Sequence, residues 1–230
     1  MPVPNTIVLL PGLHGTSELL APLAACLSVA RPVETIDYPL NEALGYEDLL
    51  RLVLARLPEE RFVILGESFA GPLAIEIAAR MKDRVAGLIL AAGFARYPIP
   101  RVLAFLARMA DRRFIPFAVI KAMLIGRATR PGLDAALRAV LAKVPRHVIR
   151  ARIEAIMRVD ARRLLGETAC PVLYLRGRLD RIIGREYLDE ILRLRPDCHV
   201  ESFDAPHMLL ETHTEEAAAA IERFCAALPG

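Results

Sequence analysis

Apolar runs of four to six residues alternate along the chain with longer stretches whose apolar positions recur every third or fourth residue. The runs Thr6–Leu10, Val33–Ile36, Phe62–Leu65, Val85–Leu90, Val172–Arg176 and His199–Phe203 read as strands. Most are apolar almost throughout, as expected of strands covered on both faces. Leu19–Leu27, Tyr46–Leu57, Phe69–Met81, Arg185–Leu194 and Thr214–Leu228 read as the intervening and final helices. Thr212, followed three residues later by Glu215, predicts a capping box at the start of the last helix. This alternation predicts an α/β fold, a mainly parallel sheet of about six strands flanked by helices.

The alternation stops between Ala95 and Thr168. Helical periodicity continues there without a strand pattern, punctuated by Pro98, Pro100, Pro116, Pro131 and Pro145. An all-helical block set into an α/β alternation predicts a lid over one edge of the sheet. Residues 1–95 and 169–230 then form the core domain, and residues 96–168 the helical cap. Charge divides along the same line. Arg96 to Leu165 carries 16 Lys and Arg against 4 Asp and Glu, an excess of 12 positive charges. The rest of the chain holds 14 basic and 23 acidic residues, an excess of 9 negative charges. The formal net charge of +3 conceals this asymmetry.

With 54% hydrophobic residues over 230 positions, the chain has ample material for a core and is far too apolar for a disordered protein. The small net charge argues against nucleic acid as a partner. Cys26, Cys170, Cys198 and Cys225 are scattered without a Cys-x-x-Cys pair, which suits neither a zinc site nor a disulfide framework. A reducing, cytoplasmic setting is therefore expected. No basic stretch precedes the first apolar run, so no secretory signal is expected. The longest apolar candidate, Leu19–Ala30, contains Pro22 and falls short of the ~18–20 residues that cross a bilayer, so no membrane span is expected.

The sharpest local signal is Phe62–Pro72, Phe-Val-Ile-Leu-Gly-Glu-Ser-Phe-Ala-Gly-Pro, where a strand turns into a helix with Ser68 at the apex. A nucleophile elbow of this kind holds its serine in a strained conformation that projects Oγ above the sheet. Strand and helix backbones approach closely there, so the positions two before and two after must be small, and Gly66 and Ala70 are. The Phe69 N–H, at the helix start, can then face a developing oxyanion. The alternative is an ordinary turn with Ser68 as helix N-cap.

A nucleophilic serine needs a base, and the base an orienting acid. His207 follows the last strand in Asp-Ala-Pro-His. Parallel strands end on one edge, so His207 should emerge beside Ser68. His199 begins a strand, His213 sits near a helix cap and His147 lies in the basic block, all weaker placements. Asp180, past the preceding strand in Arg-Gly-Arg-Leu-Asp, serves as the acid and gives the chain order Ser…Asp…His. Its alternatives are a turn aspartate paired with Arg178 or Arg181, and Asp204 in its place. After the first strand, Pro11-Gly-Leu-His-Gly-Thr16 brings the Leu13 N–H toward Ser68 as the second oxyanion donor beside Phe69, on a tight path that Gly12 and Gly15 permit. His14 is either a substrate contact or a solvated turn residue. No Gly-Lys-Ser/Thr follows, so the loop is not a phosphate cradle. In this arrangement His207 accepts the Ser68 proton, Asp180 fixes the imidazole, and Leu13 and Phe69 hold the oxyanion. The chemistry calls for no metal and no organic cofactor, and no ligand set for either is visible.

On these motifs the chain resembles the α/β-hydrolase superfamily over nearly its whole length. The segments are Pro-Gly-Leu-His-Gly at 11–15, Gly-Glu-Ser-Phe-Ala-Gly at 66–71, Gly-Arg-Leu-Asp at 177–180 and Pro-His at 206–207. It is most similar to the small lidded bacterial hydrolases that include pimeloyl-acyl-carrier-protein methyl ester esterases. The resemblance implies an α/β-hydrolase fold lacking the first two strands, one of them antiparallel. It also implies a serine hydrolase cleaving a carboxylic ester or thioester through Ser68, His207 and Asp180, with an acyl-enzyme intermediate. The same residues serve non-hydrolytic chemistry as an alternative (acyl transfer, C–C cleavage, a lyase step or cofactor-free peroxidation), and a non-catalytic binding protein on the same scaffold is another. Two departures stand out: Ala70 replaces the last Gly of Gly-x-Ser-x-Gly, and Pro11-Gly12 replaces the usual His-Gly. The cap, with apolar runs such as Phe114–Ile120, is expected to roof an acyl pocket. Its arginines either attract an acidic carrier protein or solvate the outer helix faces. Glu67 either packs on the sheet top or hydrogen-bonds near the site.

Overall fold

The computed structural model describes residues 6–97, 116–127 and 130–229. Pro98, Pro100 and the first two residues of the Phe114–Ile120 run lie outside the described residues. Six strands form one sheet: β1 (Thr6–Leu10), β2 (Val33–Thr35), β3 (Phe62–Glu67), β4 (Val85–Ala91), β5 (Val172–Gly177) and β6 (His199–Phe203). Their order is β2-β1-β3-β4-β5-β6, and every neighbouring pair is parallel. Parallel neighbours cannot be joined by a tight turn, so each connection crosses over, mostly through a helix.

The apolar strand residues divide by parity. Val8, Leu10, Ile64, Leu88, Leu90, Val172 and Tyr174 pack with helices α2 (Tyr46–Leu54) and α3 (Gly71–Arg80) on one face. Ile7, Leu9, Val63, Leu65, Ile89, Leu173 and Leu175 pack with α1 (Ala21–Leu27) on the other. Two covered faces explain the near-continuous apolar runs, since each side chain of the central strands meets a core. Burying each such aliphatic side chain contributes about 1.5–3 kcal/mol. At the edges, β2 and β6 are largely exposed, and their sequences are correspondingly more polar.

Between β4 and β5 the described residues form α4 (Phe117–Leu124), α5 (Leu133–Lys143), α6 (Arg146–Ile156) and α7 (Arg162–Glu167). The segment leaves and rejoins the core at one place, where Arg96 bridges to Asp160 and the Ala161 N–H donates to the Ala95 carbonyl. Its last helix packs against α3 and α8 (Arg185–Leu194), with Leu165 in the core. Leu133, Leu137 and Val140 of α5 cluster with Ile125, Leu19 and Met208, the residue after His207.

Helix starts and ends differ from the sequence expectation. The expected helix from Phe69 is a tight turn, Ser68–Ala70, followed by α3 from Gly71, with Pro72 in the first turn where its missing N–H costs nothing. The expected capping box does not form. The Thr212 hydroxyl donates to the Met208 carbonyl inside a short helix, α9 (Leu209–Thr212). The last helix, α10 (Thr214–Ala226), is preceded by His213, whose side chain makes no cap bond. A chain that must turn sharply just after His207 uses Thr212 to close one helix rather than to open the next.

Candidate active site

In a parallel sheet all strands deliver their following loops to the same edge, and four of those loops converge here. Ser68 follows β3 with φ +49°, a left-handed backbone that non-glycine residues rarely adopt. The close approach expected at position 66 is present: a Cβ on Gly66 would lie 2.6 Å from the Ala70 carbonyl oxygen and 2.8 Å from the Ala74 Cβ. Ser68 Oγ lies 2.9 Å from His207 Nε2, and His207 Nδ1 lies 2.8 Å from Asp180 Oδ2. The other Asp180 oxygen accepts the Ile182 and Ile183 N–H groups at 2.7 and 2.9 Å, which fixes the carboxylate against rotation. His207 and the Asp180 side chain are buried.

The alternatives fall elsewhere. Ser68 caps no helix, since Ala70 precedes α3. Arg178 pairs with Asp204, not with Asp180, at 2.7 Å on the surface. The His147 ring lies 3.2 Å from the Asn41 carbonyl oxygen, and His199 is exposed on β6.

Gly12 and Leu13, on the loop after β1, line the same cavity as Ser68. Glu67 Oε2 accepts the Gly12 N–H at 3.0 Å, and the Gly12 carbonyl accepts the Gly15 N–H at 3.0 Å. The Leu13 carbonyl accepts a hydrogen bond from Arg152 at 2.8 Å. The Leu13 N–H donates to no group among the described residues, and neither does the Phe69 N–H. Phe69 itself is buried; its carbonyl accepts the Tyr46 hydroxyl at 2.7 Å and its ring stacks on Tyr46. Glu67 therefore hydrogen-bonds beside the site. His14 is buried, which holds its imidazole below the ordinary value and neutral at neutral pH. Its 3.9 Å approach to Glu67 is then not an ion pair. Glu211 on α9 is also buried, and burial together with the neighbouring Glu67 charge pushes its carboxyl well above the usual range.

Above Ser68 lies a cavity of about 290 Å³. Ser68, His207, Glu67 and His14 stand at its polar end. Ile120, Met123 and Leu124 of α4, Leu137 and Leu141 of α5, and Ile149 and Ile153 of α6 line the rest. The Met208 N–H donates to the Leu124 carbonyl at 2.9 Å, tying α4 to the residue next to His207.

The model of the alpha/beta hydrolase family matches residues 7–220. The chain belongs to that family. Among curated proteins it is 30% identical over 126 residues to phytyl ester synthase 1, a chloroplast protein of Arabidopsis thaliana; the match covers 50% of this chain and 18% of that protein's length. Among solved structures, an esterase from Exiguobacterium antarcticum superposes with TM-score 0.86 at 15% identity, covering 99% of this chain and 94% of that one. The enol-lactonase from Burkholderia xenovorans superposes with TM-score 0.85 at 19% identity, covering 96% and 91%. A bromoperoxidase from Bacillus anthracis gives 0.83 at 17% identity, covering 96% and 91%. At these identities the likeness is one of fold.

Within this hydrolase-family chain the thiols are poor rivals to Ser68. All four cysteines are free, and burial pushes the Cys170 and Cys225 thiols up to about 11 and Cys198 to about 12. No three His, Cys, Asp or Glu side chains among the described residues are grouped to hold a metal ion. No helix among them is long and apolar enough to cross a membrane. Much of the positive charge after Arg96 is engaged within the molecule: Lys143 pairs with Glu18 at 2.6 Å, Arg150 with Glu154 at 3.1 Å, Arg162 with Asp160 at 2.6 Å, Arg163 with Glu167 at 2.9 Å, and Lys121 with Asp134.

Arg152 and Glu211 escaped sequence reading. The signal for Arg152 was its spacing after Val148 and Ile149, which puts a cation on the apolar face of α6. Glu211 carried the same kind of signal, an acid following Leu209 and Leu210 in a run otherwise fit for burial.

Proposed function

We propose that the protein is a serine hydrolase that cleaves esters or thioesters of neutral, medium-length carboxylic acids. One observation carries this reading: the hydrogen-bonded chain Ser68–His207–Asp180, at 2.9 and 2.8 Å, opens onto a cavity with apolar walls. His207 Nε2 takes the Ser68 proton as Oγ attacks the acyl carbonyl, and Asp180 orients the imidazole and stabilises its charged form. The Leu13 and Phe69 N–H groups receive the oxyanion. Collapse breaks the bond to the alcohol or thiol, which leaves with the proton from His207. Water, deprotonated by His207, then attacks the Ser68 ester and releases the acid.

In this reading residues 1–95 and 169–230 are the catalytic core and 96–168 the cap, with α4, α5 and α6 roofing the acyl site. A cavity of about 290 Å³ lies at the small end of the range of about 300–1,000 Å³ typical of ligand sites, which suits an acyl chain of about six to eight carbons. Each buried methylene contributes about 0.8 kcal/mol, or roughly fourfold in kcat/KM. Across p-nitrophenyl esters, kcat/KM should thus climb by about fourfold per carbon up to hexanoate or octanoate, then level or fall. A flat profile, or a preference for charged acyl groups, would overturn the substrate assignment. The same panel includes an ester borne on an acidic carrier protein.

A second reading, acyl transfer to an alcohol, draws support from the name of the plant relative, an ester synthase. Running the reaction in ¹⁸O-water separates the two, since hydrolysis places the label in the product acid and transfer does not.

A further inference from the structure

Arg152 is the largest fully buried side chain of the molecule's described residues, with no exposed surface. It comes from α6, which also meets the body through Val148 and Ile149, clustered with Leu13 and Leu40, and through Ile156 on the main core. No carboxylate pairs with it among the described residues. Its guanidinium instead donates to two backbone carbonyls, Nη1 to Leu13 at 2.8 Å and Nη2 to Pro39 at 3.0 Å, and lies 5.5 Å from the centre of the Tyr38 ring. Nε is buried without a partner. A buried cation without a counter-ion is costly, and the loss of solvent pulls its pKa down. Simple attachment of a helix would be served better by an apolar side chain.

The backbone opposite has been shaped to receive it. Gly15 has φ +78°, and a Cβ there would lie 2.4 Å from Arg152 Nη1. The Gly15 carbonyl accepts the Tyr38 N–H at 2.9 Å, so the guanidinium sits in a cradle made of the loop after β1 and the loop after β2 at Tyr38 and Pro39. The loop it grips is the one whose Leu13 N–H is left without an acceptor. Glu67 holds that loop from the sheet side through Gly12, and Arg152 holds it from α6 through Leu13.

We infer that Arg152 is a positioning residue that sets the oxyanion loop from helix α6, so that the oxyanion hole is complete only when that helix is docked. The inference rests on the serine-hydrolase reading above. The Leu13 N–H belongs to the Gly12–Leu13 peptide, whose carbonyl accepts the Gly15 N–H; Glu67 fixes the peptide before it through the Gly12 N–H, and Arg152 fixes the peptide after it through the Leu13 carbonyl. The oxyanion exists only after attack, so a misdirected donor weakens the transition state and leaves substrate binding in the apolar cavity nearly intact.

The test compares Arg152→Met, Arg152→Gln and Arg152→Lys with wild type on the best ester of the chain-length panel. Arg152→Met should lower kcat by about 10- to 100-fold with KM changed by less than about threefold. The inhibition constant of an alkyl trifluoromethyl ketone, which adds Ser68 to form an oxyanion, should rise by the same factor as kcat/KM falls. Inhibition by the product carboxylic acid should stay within about threefold. Arg152→Lys, which keeps one donor for Leu13, should recover part of the loss. Lys143→Met removes a surface tie between α5 and Glu18 and should leave all three constants unchanged. Equal weakening of ketone and acid, a change in KM alone, or an unchanged kcat would overturn the inference. If Arg152→Met does not fold, the Gln and Lys variants decide by the same ratio. Failure here with Ser68→Ala inactive removes only the role of Arg152, whereas an active Ser68→Ala removes the underlying reading.

Discussion

Ser68→Ala is expected to lower kcat for activated esters by about 10⁶-fold, to the level that binding and the oxyanion donors sustain without a nucleophile. The expectation follows from position as much as from residue type. The hydroxyl, at the end of β3, lies 2.9 Å from His207 Nε2, and the left-handed backbone at Ser68 places it there. Among the described residues no cysteine lines the cavity at Ser68, and burial pushes the Cys170, Cys198 and Cys225 thiols well above neutral pH. The fold should survive the change, since alanine gives up one hydrogen bond to His207, worth about 1 kcal/mol. Steady-state turnover together with a thermal melt checks both halves. Turnover within about tenfold of wild type would place the nucleophile elsewhere.

Asp180→Asn is the second large effect, about 10⁴-fold in kcat. Asparagine is nearly isosteric, and its oxygen can still accept the Ile182 and Ile183 N–H groups that hold the side chain. Its amide nitrogen would then face His207 Nδ1, which must become an acceptor. The ring proton moves to Nε2, the atom that has to take the Ser68 proton, and the base is lost with the geometry intact. The rival acid supplies the control. Asp204 is exposed and paired with Arg178, so Asp204→Asn should alter kcat by less than about threefold. A large loss in Asp204→Asn with a small one in Asp180→Asn would reverse the assignment of the acid.

Much of this was legible in the sequence because the underlying signals are local or periodic. The apolar runs at 6–10, 62–67, 85–91 and 172–177 mark strands between two cores, and both cores are present. Ser68 and Asp180 each follow a run of this kind and His207 follows the more polar edge strand β6, and parallel pairing brings the ends of all these strands to one edge. What escaped depends on contacts between segments distant in sequence. Arg152 reads as one more cation in a block of 16; its spacing after Val148 and Ile149 hints at burial, but its partners, the carbonyls of Leu13 and Pro39, lie more than a hundred residues earlier. Glu211 is likewise set apart by the Glu67 charge beside it. Thr212 and Glu215 satisfy the capping pattern, yet the turn after His207 takes Thr212 into a separate short helix. The tight turn at Ser68–Ala70 follows from the clearance between Gly66 and the Ala70 carbonyl, a tertiary distance that helix periodicity does not encode.

The central claim is that His207 activates the Ser68 hydroxyl. Covalent labelling with an alkyl fluorophosphonate, followed by mass mapping of the adduct in wild type and His207→Gln, tests it most directly. The account predicts a single phosphonyl group on the peptide containing Ser68, formed quickly in wild type and at least about 10³-fold more slowly without the imidazole. An adduct on another residue, or labelling of Ser68 at an unchanged rate in His207→Gln, would contradict it.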